Sequence, residues 1–403
     1  MYVFAEDLRG EGPDEVLDRV LGYGCTGLTV AAAYHQARDV TPHGPSRVTS
    51  RYDGVHFPPP PDLFDGLRLT PPPRDDAGDG LLPDLRRRTA QRGAALRGWT
   101  VFLHNTTLGL SHPDVTQENC FGDRAAPADL CPSNPDVRAY AIALARAVAR
   151  QGVDAVVAES LHFGFFGHGY HHERSFVRLG PVEEFLLGVC FCPHCRERVA
   201  AAGADPDAAR AAAARIVGAV LDGGAPLDSE LSLDALDRLG VADYVRARIG
   251  TVTTLAASVA DAVAGEGSRL VFLDITGALK GYADGRPSGT LACDDAWRLG
   301  VDPGAVGAAA GEYAMLGYAR YPTRLSAEVA GYRAALGQIP LRVTLRPGPP
   351  DTPSATDLAT KLVAASDADA VDFYNYGMNP FPVLDRIGEA LKGSDGTSLP
   401  IEG

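Results

Sequence analysis

The chain has 403 residues, 51 acidic against 37 basic side chains and 45% apolar residues, an ordinary balance for a globular protein with a large core. A net charge of −14 and a pI near 5.1 argue against a nucleic-acid partner, because such binding needs clustered Lys and Arg that displace counterions. No run approaches the roughly 18 apolar residues of a membrane span, and the opening Met1-Tyr2-Val3-Phe4-Ala5-Glu6-Asp7 reads as a strand and not as a secretion signal, so no membrane partner and a cytoplasmic location are expected.

In chain order, a short strand over 2–5 precedes a helix over 13–21 that Gly22 and Gly24 end. A second strand over 27–33 runs into Tyr34-His35, and its helix is expected over 81–96 after a Pro-rich excursion. The third strand, 99–103, ends in His104-Asn105. A helix over 135–151, with Val137, Ala141, Leu144 and Val148 on one face, feeds a fourth strand over 153–158 that ends at Glu159. After a long loop and an Ala-rich helical stretch over 205–265, a fifth strand, 269–273, ends at Asp274. The sixth, 313–317, ends near Tyr318 and Arg320; a helix over 326–336 leads to the seventh, 341–345, ending at Arg346. A helix over 355–365, an eighth strand over 370–374 and a last helix over 382–392 close the pattern.

Eight strand and helix units in alternation predict a (β/α)8 TIM barrel, since parallel strands need helical crossovers and these strands are apolar throughout. An open doubly wound sheet is the rival, but no Gly-rich phosphate fingerprint follows the first strand, and no organic cofactor is expected. The whole of 1–395 is expected to be one barrel domain with long loops after its strands, including a Pro-rich loop over 40–80 and a His/Cys-rich loop plus helical insertion over 160–265 after strand four, with 396–403 as a tail. The Pro runs at 58–61 and 71–73 predict extended chain packed on the barrel mouth.

Three of the seven cysteines crowd into Cys190-Phe191-Cys192-Pro193-His194-Cys195, a spacing suited to one metal ion once a turn folds them together. A tetrahedral zinc then needs a fourth ligand, for which Cys131 is the first candidate and Cys120 and His194 are alternatives; Cys25 and Cys293 read as isolated thiols. With Cys131-Pro132-Ser133-Asn134-Pro135-Asp136-Val137-Arg138 before the fourth strand and the Cys190 to Arg196 run after it, residues 125–200 resemble the bacterial β-galactosidases of glycoside hydrolase family 42. The resemblance implies a structural zinc on Cys131, Cys190, Cys192 and Cys195, and an acid/base role for Glu159. The chain departs from that family in having Ala158, not Asn, before the Glu, and no Glu at the end of strand seven, where Leu345-Arg346 stands.

Strand ends of a barrel converge, so the expected lining is His35, His104, Asn105, Glu159, Asp274, Tyr318, Arg320, Arg346, Tyr374 and Tyr376. Two carboxylates, one donating a proton to a leaving oxygen and one activating water or attacking carbon, are the usual equipment for glycosidic cleavage. Glu159 is the expected proton donor and Asp274 its partner, with Glu6, Asp7 and Asp53 in reserve. The loop 162–173 carries four of the ten histidines, including His162, His168 and His172, together with aromatic rings suited to stacking on a sugar. The expected activity is cleavage or remodelling of a small-molecule glycoside or oligosaccharide, with a homo-oligomer possible. A sugar-directed lyase or isomerase, or a barrel that binds sugar without turnover, are the alternatives.

Overall fold

The computed structural model describes residues 1–72, 74, 76–167 and 174–393. Eight parallel strands follow one another around the sheet in chain order: β1 (Tyr2–Val3), β2 (Gly27–Tyr34), β3 (Ala95–Val101), β4 (Ala155–Glu159), β5 (Arg269–Asp274), β6 (Tyr313–Leu316), β7 (Leu341–Leu345) and β8 (Ala370–Phe373). The last gap is bridged by the Tyr376 N–H, which donates to the Tyr2 carbonyl at 2.9 Å, so the sheet is a nearly closed TIM-like barrel. Along each strand alternate side chains fill the lumen, among them Tyr2, Trp99, Val157, Leu273 and Leu316. The intervening ones, such as Val3, Leu96, Val156 and Phe272, pack outward against the helices. At the N-terminal end of the barrel, the buried Arg342 forks onto Asp372 at 2.7 and 3.1 Å and reaches Glu312 at 3.1 Å.

The alternation of strand and helix is as the sequence implies, and the departures are local. The helix expected over 81–96 stops at Gln91 because Gly93 turns the chain with a φ of 63°, and the third strand starts at Ala95, earlier than expected. The 40–80 segment is not all extended loop. Ala37–Val40 pairs with Val48–Arg51 as a hairpin, and Gly54–Val55 adds antiparallel to Ala33 and Tyr34 of β2, with the Pro58–61 run outside these strands.

The Ala-rich stretch is broken at Gly223-Gly224 and again at Gly240 into Pro206–Leu221, Leu233–Arg238 and Ala242–Ala264. The first two start at side-chain caps from Asp205 and Ser232. An unforeseen helix, Pro303–Ala310, built mostly of Gly and Ala with Pro303 and Val306, lies in the crossover before β6 and is capped by Asp302. Among the described residues no helix is long and apolar enough to cross a membrane.

Candidate active site and cysteine centre

A cavity of about 420 Å³ opens at the C-terminal ends of the strands. Its floor is aromatic: Trp99 meets Tyr2 edge-on at 5.2 Å between centroids, Tyr34 at 4.7 Å and Tyr374 at 5.8 Å. Glu159, the last residue of β4, shares the lumen-facing parity of Ala155 and Val157, and its Oε2 accepts from the Trp99 indole N–H at 2.6 Å. Burial raises its pKa above the ordinary carboxylate value; the Trp99 hydrogen bond and the charge of His104 oppose that rise. The next residue, Ser160, has a φ of 55°, a left-handed conformation unfavourable for a residue with a side chain, and it too borders the cavity. Backbone bonds from Phe102 N–H to the Glu159 carbonyl (2.9 Å) and from Leu103 N–H to the Ser160 carbonyl (3.2 Å) hold this turn against β3.

Beside Glu159 stand three imidazoles. His104 Nδ1 lies 3.2 Å from Asp129 Oδ1, and His35 stacks on Tyr34 and meets His104 edge-on at 5.1 Å. Burial works against the charged form of His104, yet Asp129 together with the charges of Asp53 and Glu159 leaves its pKa raised. His162 Nδ1 is 2.8 Å from the Phe163 carbonyl; a carbonyl only accepts, so Nδ1 carries the proton. Burial lowers the His162 pKa, keeping the ring neutral and its Nε2 an acceptor, buried and with no hydrogen-bond partner among the described residues. Asp129 is seated closely over Gly164, where an added Cβ would come within 2.3 Å of the carboxyl carbon. Tyr318 and Tyr374 complete the expected lining that is present.

Several expected residues are elsewhere. Asp274 is fully buried on the outer face of β5, where its carboxylate accepts from Thr276 N–H (2.8 Å), the Thr276 hydroxyl (2.6 Å), Tyr313 (2.8 Å) and Tyr332 (2.7 Å). Strand alternation gives the cavity its neighbours Leu273 and Ile275 instead. Asn105 caps the helix Thr106–Ser111 by accepting from Leu108 N–H. Arg320 is exposed at the surface. Arg346 lies behind the wall, 2.7 Å from Asp351 and over the Tyr318 ring at 4.1 Å, with its other nitrogens on the Gly281 and Tyr282 carbonyls. Tyr376 donates to Glu11 at 2.7 Å, outside the cavity.

The reserve carboxylates are structural too. Glu6 pairs with Arg51 and Arg74, Asp7 accepts from Phe4 N–H, and Asp53 accepts from Gln36 and Thr107. His168 and His172 lie outside the described residues. Among the described residues, the carboxylates that line the cavity with Glu159 are Asp129 and Asp39, neither singled out from the sequence. Asp129 sits two residues before Cys131, in a segment bridged to His104.

The Sγ atoms of Cys131, Cys190, Cys192 and Cys195 lie within 4.8 Å of one another, all buried, and Cys131 is 3.5, 3.4 and 3.8 Å from Cys192, Cys195 and Cys190. A tetrahedron with metal–sulfur bonds of about 2.3 Å has edges of about 3.8 Å, so the group is of the size that holds a metal ion. Cys120, buried, and His194, half-buried, are not in this group; Cys25 and Cys293 are also apart from it. Glu118 N–H donates to Cys190 Sγ at 3.3 Å, and Ser133 Oγ is 3.2 Å from Cys195 Sγ.

No protein-family model matches the chain, and no curated protein matches it. Solved structures share its fold. A β-galactosidase from Bacillus circulans sp. alkalophilus superposes with a TM-score of 0.55 at 14% identity, over 98% of this chain and 54% of that one. A β-galactosidase from the psychrophilic Marinomonas ef1 gives 0.57 at 10% identity, over 100% and 61%. An α-L-fucosidase isoenzyme 2 from Paenibacillus thiaminolyticus gives 0.55 at 12%, over 98% and 49%. The chain thus spans about half to three fifths of the length of these proteins, and what it shares with them is the glycosidase-like barrel.

Proposed function

We propose that this protein is a carbohydrate-active enzyme that cleaves or remodels a glycosidic bond, with Glu159 as the proton donor. The observation that carries the reading is Glu159 itself: a carboxyl at the end of β4, in an aromatic cavity, whose burial favours the protonated form that a leaving oxygen requires. Trp99, Tyr34 and Tyr374 offer ring faces and hydroxyls to a sugar. Asp129 replaces Asp274 as the second carboxylate, because it lines the same cavity and Asp274 does not. The four cysteines hold a structural zinc, in keeping with the family 42 resemblance, and take no part in the bond-breaking step.

The histidines favour one second reading. His162 Nε2, a neutral acceptor, and the His104–Asp129 pair could serve as base and acid about a sugar carbon, giving elimination in place of hydrolysis. Purified protein and Glu159→Gln are assayed on aryl and natural glycosides in ¹⁸O-labelled water. Hydrolysis puts solvent oxygen into the sugar product, and elimination leaves an unsaturated product absorbing in the ultraviolet. Turnover that Glu159→Gln leaves intact overturns the role of Glu159 as proton donor.

A further inference from the structure

A second cavity, of about 330 Å³, adjoins the one beside Glu159. Gly164, Phe165, Gly167 and Leu279 line both, so the segment that follows Glu159 borders the two in turn. Phe166 and Phe185 give the second cavity aromatic surface, and Leu231 lines it without touching the first. Arg248, on the helix Ala242–Ala264, also lines it although only 2% exposed. Its guanidinium lies over the Phe163 ring at 4.2 Å and 6.0 Å from the Phe185 ring centroid. One nitrogen reaches the Arg298 carbonyl at a long 3.4 Å, and Nε is buried with no hydrogen-bond partner among the described residues. Among those residues the guanidinium has no carboxylate partner either.

Arg298, from the turn Ala296–Leu299, is the second cation of the lining. Its Nη2 is 3.0 Å from Asp295, and its Nε is likewise buried without a partner among the described residues. Asp295 is shared with Lys280, 2.5 Å away, so one carboxylate answers two cations. Glu184, the carboxylate among the described lining residues, is exposed, and solvent screens its charge. Arg248, Arg298 and Lys280 thus outnumber Asp295 and Glu184 around the cavity. A buried guanidinium without a counter-charge is costly, because nothing replaces the hydration it has lost, and its planar fork matches a carboxylate. An arriving carboxylate offsets that cost, while the phenylalanine rings cover the apolar body that carries it.

We propose that the second cavity is a subsite for a carboxylate-bearing group of the substrate, an acidic sugar or an aromatic acid joined to the sugar beside Glu159, with Arg248 as the carboxylate's partner and Arg298 next to it. The link to a sugar beside Glu159 rests on the glycosidase reading above, whereas carboxylate binding in the second cavity does not require it.

The test titrates two matched pairs of probes, glucuronate against glucose and benzoate against benzyl alcohol, into the full chain by calorimetry. The proteins are wild type, Arg248→Gln and Leu231→Trp, the last of which fills the cavity and keeps both arginines. In wild type at least one acid is expected to bind about 10- to 100-fold more tightly than its neutral counterpart, the range of a hydrogen bond to a charged group. Both variants are expected to bring that ratio close to one; because acid and neutral probe are compared within one protein, a loss of folded fraction cancels. A larger ratio for glucuronate assigns the carboxylate to a sugar acid, and a larger ratio for benzoate assigns it to an aromatic acid. The kcat/KM of wild type on a glycoside bearing that acid, relative to its methyl ester, is expected to show the same preference, and Arg248→Gln to lose it. Equal affinity for acid and neutral probes in wild type overturns the proposal, as does a preference that either variant keeps. A carboxylate preference in binding with no turnover of any glycoside overturns the enzyme reading and supports the carboxylate site by itself.

Discussion

The chemistry of the candidate site turns on how two side chains share Glu159 and His104 with their surroundings. Trp99 stabilises the ionised form of Glu159 by its 2.6 Å hydrogen bond, so Trp99→Phe should raise the Glu159 pKa further. If Glu159 donates its proton, activity falls as pH rises through that pKa, and the alkaline limb of kcat/KM is expected to move to higher pH in Trp99→Phe. Glu159→Gln is expected to lose about 10²- to 10⁴-fold in turnover, with the alkaline limb abolished. His104 has a raised folded pKa, so its pairing with Asp129 contributes stability that is fully present below the unfolded value near 6.5 and is lost as pH rises through the folded one. Urea unfolding of wild type against Asp129→Asn should therefore show a larger stability difference at pH 6 than at pH 9. Glu159 was legible because a charged residue closing an apolar run stands out. Asp129 was not, because it belongs to no strand and reaches the cavity only by pairing beside His104.

At the scale of the element, Asp274 shows where a sequence stops being informative about direction. A strand covered on both faces is apolar throughout, so Leu270, Val271, Phe272 and Leu273 give no clue to which parity faces the lumen. Both Glu159 and Asp274 end such runs, yet one points inward and the other onto Tyr313 and Tyr332 of the outer layer. The consequence is a clear expectation: Tyr332→Phe removes one of four donors to a fully buried carboxylate and should cost about 1 to 3 kcal/mol of stability, read by denaturant unfolding, while kcat/KM of the folded variant stays near wild type. A fall in kcat/KM without a fall in stability would return Asp274 to the catalytic set. The unforeseen helix Pro303–Ala310 has the same root, since a Gly and Ala run carries no periodic contrast and only its Asp302 cap and its packing define it.

Across the whole molecule, the barrel was readable from repetition alone, whereas the site depends on loops that the repetition does not specify. The cysteine centre joins two of them, because Cys131 lies in the connection before β4 and Cys190, Cys192 and Cys195 in the one after it. The segment leading into Cys131 is laced to the barrel by Asn105 N–H to the Ala128 carbonyl (2.7 Å), Leu130 N–H to the Leu103 carbonyl (2.9 Å) and Cys131 N–H to the Val115 carbonyl (2.9 Å). It carries Asp129 to His104. A metal at the cysteines would fix the far end of this segment, so its removal should act first here and only weakly on the strands. Hydrogen exchange on the zinc-loaded and chelator-treated protein is expected to show faster exchange at Leu130, Cys131 and Gln117, whose N–H bonds to the Asp129 carbonyl, with β3 and β5 amides unchanged. Turnover should fall along with that protection, since Asp129 would lose its place over Gly164. Uniform exchange across all strands would instead mean that the metal supports the barrel as a whole, and unchanged exchange at Leu130 would separate the cysteine centre from the cavity altogether.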